Sequence, residues 1–251
     1  MRRRLLWIAF AGLLAQEPLD LVPTLDAGAC QEEIPQPQVA CENSPAPRRQ
    51  RLVIAFSSLR DRPAFANLYF YRHDGIGRGE LNEAVPAQFE RADTHPSLAS
   101  DSARCAYASK QVGGFTPLVN LWNRSENRPL PAPAFNSQEG SRIEPALSGD
   151  GRFLAFVSDR PGGAGGKDVY LFDLEKRRLV DLPGLNSVAH EQTPALSPDG
   201  RYVAFVSERS AGAGERDIYL YDRELSQLIP TPGLNSPQED FDPALAYEST
   251  D

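Results

Sequence analysis

From about residue 51 onward the chain is a succession of short apolar runs separated by turn-forming residues. Phe153-Leu154-Ala155-Phe156-Val157 is too short for a helix, is rich in aromatic and branched side chains, and is apolar on both alternating sets of positions. A strand of this kind has no face that tolerates water, so both faces must be covered. Related segments stand at Ala106-Tyr107-Ala108-Ser109 and Ala204-Phe205-Val206-Ser207, with an earlier version at Ala55-Phe56-Ser57-Ser58.

These strands belong to a repeat. Glu144-Pro145-Ala146-Leu147-Ser148-Gly149-Asp150-Gly151-Arg152 recurs as Thr193-Pro194-Ala195-Leu196-Ser197-Pro198-Asp199-Gly200-Arg201, with the prolines 49 residues apart. The same step leads forward to Asp242-Pro243-Ala244-Leu245-Ala246 and back to His95-Pro96-Ser97-Leu98-Ala99. A third segment follows each unit, as in Asp168-Val169-Tyr170-Leu171-Phe172-Asp173 and Asp217-Ile218-Tyr219-Leu220-Tyr221-Asp222, with weaker versions at Asn67–Tyr71 and Asn120–Trp122. A fourth, Leu179-Val180-Asp181-Leu182-Pro183 or Leu228-Ile229-Pro230-Thr231-Pro232, ends it. Four short strands per unit is the count of a propeller blade, and two-faced burial repeated at one period fits sheets stacked face to face around an axis. Ser197-Pro198-Asp199-Gly200 is a tight turn between strands one and two of a blade: proline presets φ, aspartate bonds to nearby backbone, and glycine takes the left-handed position.

The stretch Pro-Ala-Leu-Ser-Pro-Asp-Gly-Arg-Tyr-Val-Ala-Phe-Val-Ser at 194–207, followed by Asp217–Asp222, resembles the WD40-like repeat of TolB-type β-propellers. The resemblance covers roughly residues 51 to 251 and is loosest in the first two units, where Ser100-Asp101-Ser102-Ala103 replaces the proline-glycine turn. The expected fold is an all-β propeller of four blades, each with four antiparallel strands. Strand two appears at 51–57 without a convincing strand one ahead of it, and Pro243–Tyr247 is a strand one with nothing after it. The C-terminal strand is therefore expected to complete the N-terminal blade and remove an open edge. Pro45-Ala46 offers an alternative local strand one, in which case the C-terminal strand begins a missing blade and closure needs a second chain.

The first fifteen residues differ from the rest. Arg2, Arg3 and Arg4 precede an apolar run from Leu5 to Ala15, which reads as a signal peptide, too short for a permanent membrane anchor. Residues 16–50 then form an extended segment ahead of the propeller at 51–251. Cys30 has two readings: lipidation after Ala27-Gly28-Ala29, which would place the protein on a membrane, or a disulfide with Cys41 in an oxidising compartment. Cys105 lies in a buried-strand pattern and reads as an inert packed thiol. Loss of the signal moves the formal charge from −8 to about −11, which disfavours nucleic acid as a partner.

No catalytic pattern stands out. His73, His95 and His190 lie in expected loops without metal-ligand spacing, and Gly162–Gly166 joins two strands instead of opening a helix, so it is a hairpin loop and no phosphate cradle. The recurrent acidic residues Asp93, Glu191 and Asp240 stand three residues before the anchor prolines, with Arg142 as the odd member. By the resemblance this stretch nears the central channel, where three carboxylates could hold a cation such as Ca²⁺; the alternative is that they bond to amides of the inter-blade crossover, helped by Asn186-Ser187 and Asn235-Ser236. Asp168 with Asp173, and Asp217 with Asp222, are expected to fix the ends of strand three. The resemblance implies a periplasmic or secreted scaffold, without catalysis, that binds a protein or peptide in the cell envelope. The alternative is an accessory or lectin-like propeller of a hydrolytic or carbohydrate-processing system, for which Trp122, Tyr170 and Tyr219 would need exposed rings.

Overall fold

The computed structural model describes residues 52–248, apart from 62–63, 74–78, 84–90, 115, 132–135, 137–138 and 211. The signal peptide over 1–15, the extended segment over 16–50 and both readings of Cys30 lie outside the described residues.

The described chain is all-β and forms four antiparallel sheets, each built from strands consecutive in sequence. The first blade is β1 (Leu52–Ser58), β2 (Asn67–His73) and β3 (Gly79–Glu83); the second is β4 (Arg91–Leu98), β5 (Arg104–Gln111), β6 (Leu118–Asn123) and β7 (Arg128–Pro129). The third is β8 (Ile143–Leu147), β9 (Phe153–Ser158), β10 (Asp168–Asp173) and β11 (Arg178–Val180), and the fourth is β12 (Glu191–Leu196), β13 (Tyr202–Ser207), β14 (Asp217–Asp222) and β15 (Gln227–Ile229). This is the four-bladed propeller expected from the repeat.

Two-faced apolar strands account for the stacking. The core divides into three hydrophobic clusters, one at each junction of consecutive blades. Along β9, Leu154 and Phe156 face back into a cluster with Val119 and Leu121, while Phe153, Ala155 and Val157 face forward into one with Leu196, Val203 and Phe205. The second strands β5 and β9 are thus each shared between two junctions, and the buried face on either side belongs to a different neighbour.

Recurrent polar devices lock each blade. In the fourth blade Ser197 Oγ donates to Asp199 Oδ1 at 2.6 Å, Arg201 N donates to the same oxygen at 3.0 Å, and Gly200 has φ 68°. Gly151 repeats that geometry at φ 69°, and Ser102 occupies the same left-handed position at φ 54° in the turn that lacks glycine. The far end of strand three is closed by Asp173 and Asp222, which accept from the amides two and three residues on and from Arg152 (3.0 Å) and Arg201 (2.7 Å). An unforeseen device is a stack: Phe56 on Tyr69, Phe156 on Tyr170 and Phe205 on Tyr219, each capped by the arginine four residues after the phenylalanine.

One expectation is revised. Residues 239–248 contain no assigned strand, and no pairing joins them to β1, so the first sheet has three strands among the described residues. The segment instead docks on the fourth blade, where Asp240 N donates to Arg216 O at 2.9 Å and Tyr247 Oη donates to Asp199 Oδ2 at 2.7 Å. It does so because the crossover is repeated: Glu191 N, Arg142 N and Asp93 N bond to Lys167 O, Pro117 O and Ala66 O of the preceding blade in the same way. Substantial packing between described strands of different blades joins consecutive blades only.

Two outcomes follow for stability. Phe205→Ala, at a fully buried site between the last two blades, is expected to lower the unfolding free energy by about 3–5 kcal/mol in urea denaturation. The Asp222 carboxyl is held below its ordinary range by its hydrogen bond to Arg201, which outweighs burial. Its contribution is therefore complete above the unfolded value near pH 4 and fades as the pH falls through the folded one. Asp222→Asn should melt below the wild type at pH 7, and the gap should close progressively below about pH 4 in scanning calorimetry.

Candidate functional site

The innermost strand of each complete blade is broken at one repeated point. Pairing shifts between Thr94 and Ser97 in β4, between Ile143 and Ala146 in β8, and between Gln192 and Ala195 in β12. Each break contains the anchor proline, which has no N–H to give to a ladder and is accommodated in a bulge. The residue before it is left-handed in every copy: His95, Glu144, Thr193 and Asp242 have φ of 52°, 51°, 44° and 55°. That conformation costs a non-glycine residue about 1–2 kcal/mol, and Thr193 is β-branched besides.

Because β4 packs on β8 and β8 on β12, the bulges form a row along the inner edges of the blades. Consecutive bulges are linked directly: Glu144 Oε2 accepts from Thr193 N at 2.7 Å across the junction of the third and fourth blades. Further along, Gln192, Thr193, Val206, Arg216, Phe241 and Asp242 line a hollow of about 230 Å³ between the fourth blade and the C-terminal segment. The row was not legible in the sequence, although the fixed position of the anchor proline inside a strand was the signal that could have found it.

The acidic set does not gather there. Glu191 is fully buried and accepts from Ser187 N (3.1 Å), Ser187 Oγ (2.6 Å) and Ser207 Oγ (2.8 Å), with Arg209 Nη2 at 3.3 Å. Asp240 accepts from Ser236 N at 2.8 Å and from Ser236 Oγ. Asp93 is buried beside Arg91 Nε at 3.3 Å, and burial pushes its carboxyl up against the opposing pull of Ser109 and Arg91. Among the described residues no three His, Cys, Asp or Glu side chains are arranged to hold a metal ion. Glu191 and Asp240 are each bonded to the amide and hydroxyl of a serine in their own crossover, whereas Asp93 lies beside Arg91 in its own strand. Arg142, the odd member, is buried and donates to Glu139 O (2.9 Å) and Gly140 O, so backbone carbonyls replace the acid's partners.

Asn186 is more than a turn residue. Its side-chain amide donates to Val169 O and its Oδ1 accepts from Val169 N, both at 2.9 Å, so it pairs with β10 as a short strand would; Asn235 does the same to Ile218. Asp168 and Asp217 accept from Gly165 N and Gly214 N at 3.2 Å, fixing the hairpin between strands two and three. His95 is exposed with Nδ1 3.0 Å from Thr94 Oγ1, and His190 Nδ1 accepts from Lys167 N at 3.1 Å. The Cys105 thiol is buried and pushed up to about 12 by desolvation, which leaves it without nucleophilic thiolate near neutral pH. Trp122 is buried in the core between the first two blades, and the rings of Tyr170 and Tyr219 are stacked between a phenylalanine and an arginine. None of these three rings offers the open face that a sugar needs.

Comparison with solved structures places the fold among TolB-like propellers. A TolB homologue from Agrobacterium tumefaciens superposes with a TM-score of 0.53 at 15% identity, over 70% of this chain and 60% of that one. TolB from Acinetobacter baumannii gives 0.50 at 20% identity, over 71% and 40% respectively. Among curated proteins, an uncharacterized peptidase of Bacillus subtilis, YuxL, is 32% identical over 97 residues, which are 36% of this chain and 14% of that protein. The chain thus spans less than two thirds of each of these proteins. No protein-family model matches the sequence.

Glu191→Ala should remove the acceptor of four donors and leave the half-buried Arg209 without its counter-charge, at a cost of about 3 kcal/mol in chemical denaturation. Adding calcium or a chelator to the unaltered protein should leave its melting midpoint in place; a rise with calcium would restore the cation site.

Proposed function

We propose that the chain is an exported propeller scaffold, without catalysis of its own, that binds a protein or peptide partner in the cell envelope. The observation that carries this reading is the commitment of its buried polar groups. Glu191, Asp173 and Asp222 each satisfy strand ends or crossovers within the blades, and the one described thiol is inert, which is the economy of a rigid platform. The arginine-led apolar run at the N-terminus and the TolB-like fold both favour an envelope location.

The binding face is the end that carries the hairpins between strands two and three and the inter-blade crossovers. Gly165 of one such hairpin lies against the backbone of Ser187 and Ala189 in the crossover, so these loops form one continuous surface. Exposed apolar side chains are distributed over it, among them Leu59, Val112 and Val188, the last 91% exposed. Apolar side chains exposed on the loops of one face are surface that a bound protein would remove from water.

The partial identity with a peptidase favours a second reading, an accessory propeller that presents substrate to a hydrolytic domain. Affinity capture from envelope extract separates the two. A specific protein partner is expected, with capture reduced at least tenfold by Val188→Asp and Val112→Asp at an unchanged melting midpoint. Recovery of a hydrolase alone would favour the accessory reading, and no specific protein at all would contradict the scaffold.

A further inference from the structure

The crossover into the third blade carries a positive charge where the crossover into the fourth carries a negative one. One 49-residue step takes Arg142 to Glu191, and the same step takes Arg160 to Arg209. In the fourth blade these positions form an ion pair, with Glu191 Oε1 3.3 Å from Arg209 Nη2 and a further bond from the Ser207 hydroxyl. In the third blade Ser158 and Arg160 keep the places of Ser207 and Arg209, and the serine Oγ again accepts from the arginine amide two residues on. The carboxylate is what has gone, and a second guanidinium stands in its position.

Arg142 is 1% exposed. Nη1 and Nη2 donate to the carbonyls of Gly140 and Glu139, but Nε is buried without a hydrogen-bond partner. Burial and the neighbouring Arg160 guanidinium both push Arg142 below the ordinary arginine range. Asp159 opposes them, yet its Oδ1 already accepts from Ser141 N at 2.5 Å and from Ser141 Oγ at 2.9 Å. The rest of this crossover offers no counter-charge: residues 131–138 include no acidic side chain, and Glu139 is exposed. Two like charges brought together out of water favour any anion that can reach them.

A hollow of about 410 Å³ adjoins the pair. It is lined by Arg160, Pro161 and Gly162 of the hairpin, by Glu139 of the crossover and by Leu179 of β11. Arg142 is tied to one wall through its 2.9 Å bond to Glu139 O. Gly140 brings that wall close: its φ is 91°, and a Cβ there would fall 2.6 Å from Arg160 Cα. We infer that the hollow receives a carboxylate of the binding partner, which pairs with Arg160 and supplies beside Arg142 the negative charge that Glu191 supplies in the fourth blade. The planar guanidinium of Arg160 suits a carboxylate, and Pro161 and Leu179 offer apolar wall to the groups flanking it. This inference rests on the scaffold reading, because the hollow is built from the hairpin and crossover that form the proposed binding face; it adds that the partner presents an acidic side chain or a C-terminal carboxylate there.

NMR of the nitrogen-15-labelled 251-residue chain, following the Nε–H signals of Arg142 and Arg160, reads the site directly. The peptide acetyl-Ala-Glu-Leu-amide should move both signals saturably, and acetyl-Ala-Gln-Leu-amide should leave them in place. Arg142→Glu, which restores the charge pattern of the fourth blade, should melt no lower than the wild type and bind the acidic peptide about tenfold more weakly. Arg142→Gln should weaken it in the same direction if the glutamate variant does not fold, and Glu139→Gln should not weaken it. An equal response to the two peptides overturns the inference, as does no saturable shift or unchanged affinity in the Arg142 variants. Binding of succinate as tight as that of the peptide overturns the assignment to a partner. Capture from envelope extract that Val188→Asp abolishes and Arg142→Glu does not alter would overturn the carboxylate site while leaving the scaffold reading in place.

Discussion

Everything in this architecture depends on covering strands that are apolar on both sides. A strand such as Phe153–Ser158, buried at every position, cannot sit at the surface of a sheet, and one layer of neighbours is not enough. The answer is a neighbour of the same kind on each side, which turns one local requirement into a series. Burial of β9 is inseparable from burial of β5 and β13, and the three hydrophobic clusters are the successive results of one rule. The polar groups follow from it. With the sheet faces reserved for apolar contact, hydrogen-bonding groups collect at strand ends, where Asp173, Asp222, Asn186 and Glu191 satisfy backbone that the short strands leave unpaired.

The same rule explains the two ends of the series. A blade with a described neighbour on one side only has a face half-covered, and the exposure of Ile54 and Leu220 goes with that position and is not a local irregularity. It also explains why the C-terminal segment is ordered against the fourth blade while lacking a sheet. The crossover bond and the forward face hold it from one side, and nothing described holds it from the other.

Strands, turns and blade count were legible because each is written in a contiguous stretch: alternating or continuous apolar residues for the strands, Ser-Pro-Asp-Gly for the turn, a 49-residue step for the blades. What escaped was set by residues distant in sequence. The bulge at Thr193 depends on Glu144 of the previous blade, and the arginine caps depend on a phenylalanine and a tyrosine from two strands. The carboxylates at 93, 191 and 240 share a repeat position, which suggested convergence; the serines at 187, 207 and 236 claim two of them locally, and Arg91 and Ser109 flank the third. Register with the repeat gives equivalence of environment, not proximity, and at a position backed by its own donors the local bonds win. The expected pairing of the C-terminal strand with β1 went the same way, since the sequence shows that the two pieces are complementary and says nothing of whether they meet within one chain.

Native-state hydrogen exchange, resolved by residue, tests this dependence on mutual coverage most directly. The account predicts that the ladder amides of β5 and β9, shared between two covered faces, exchange slowest and near the rate of global unfolding, with protection declining through β1 and reaching its lowest among the described segments at 240–248. Equal protection in β1 and β9, or slower exchange in the C-terminal segment than in β13, would contradict it.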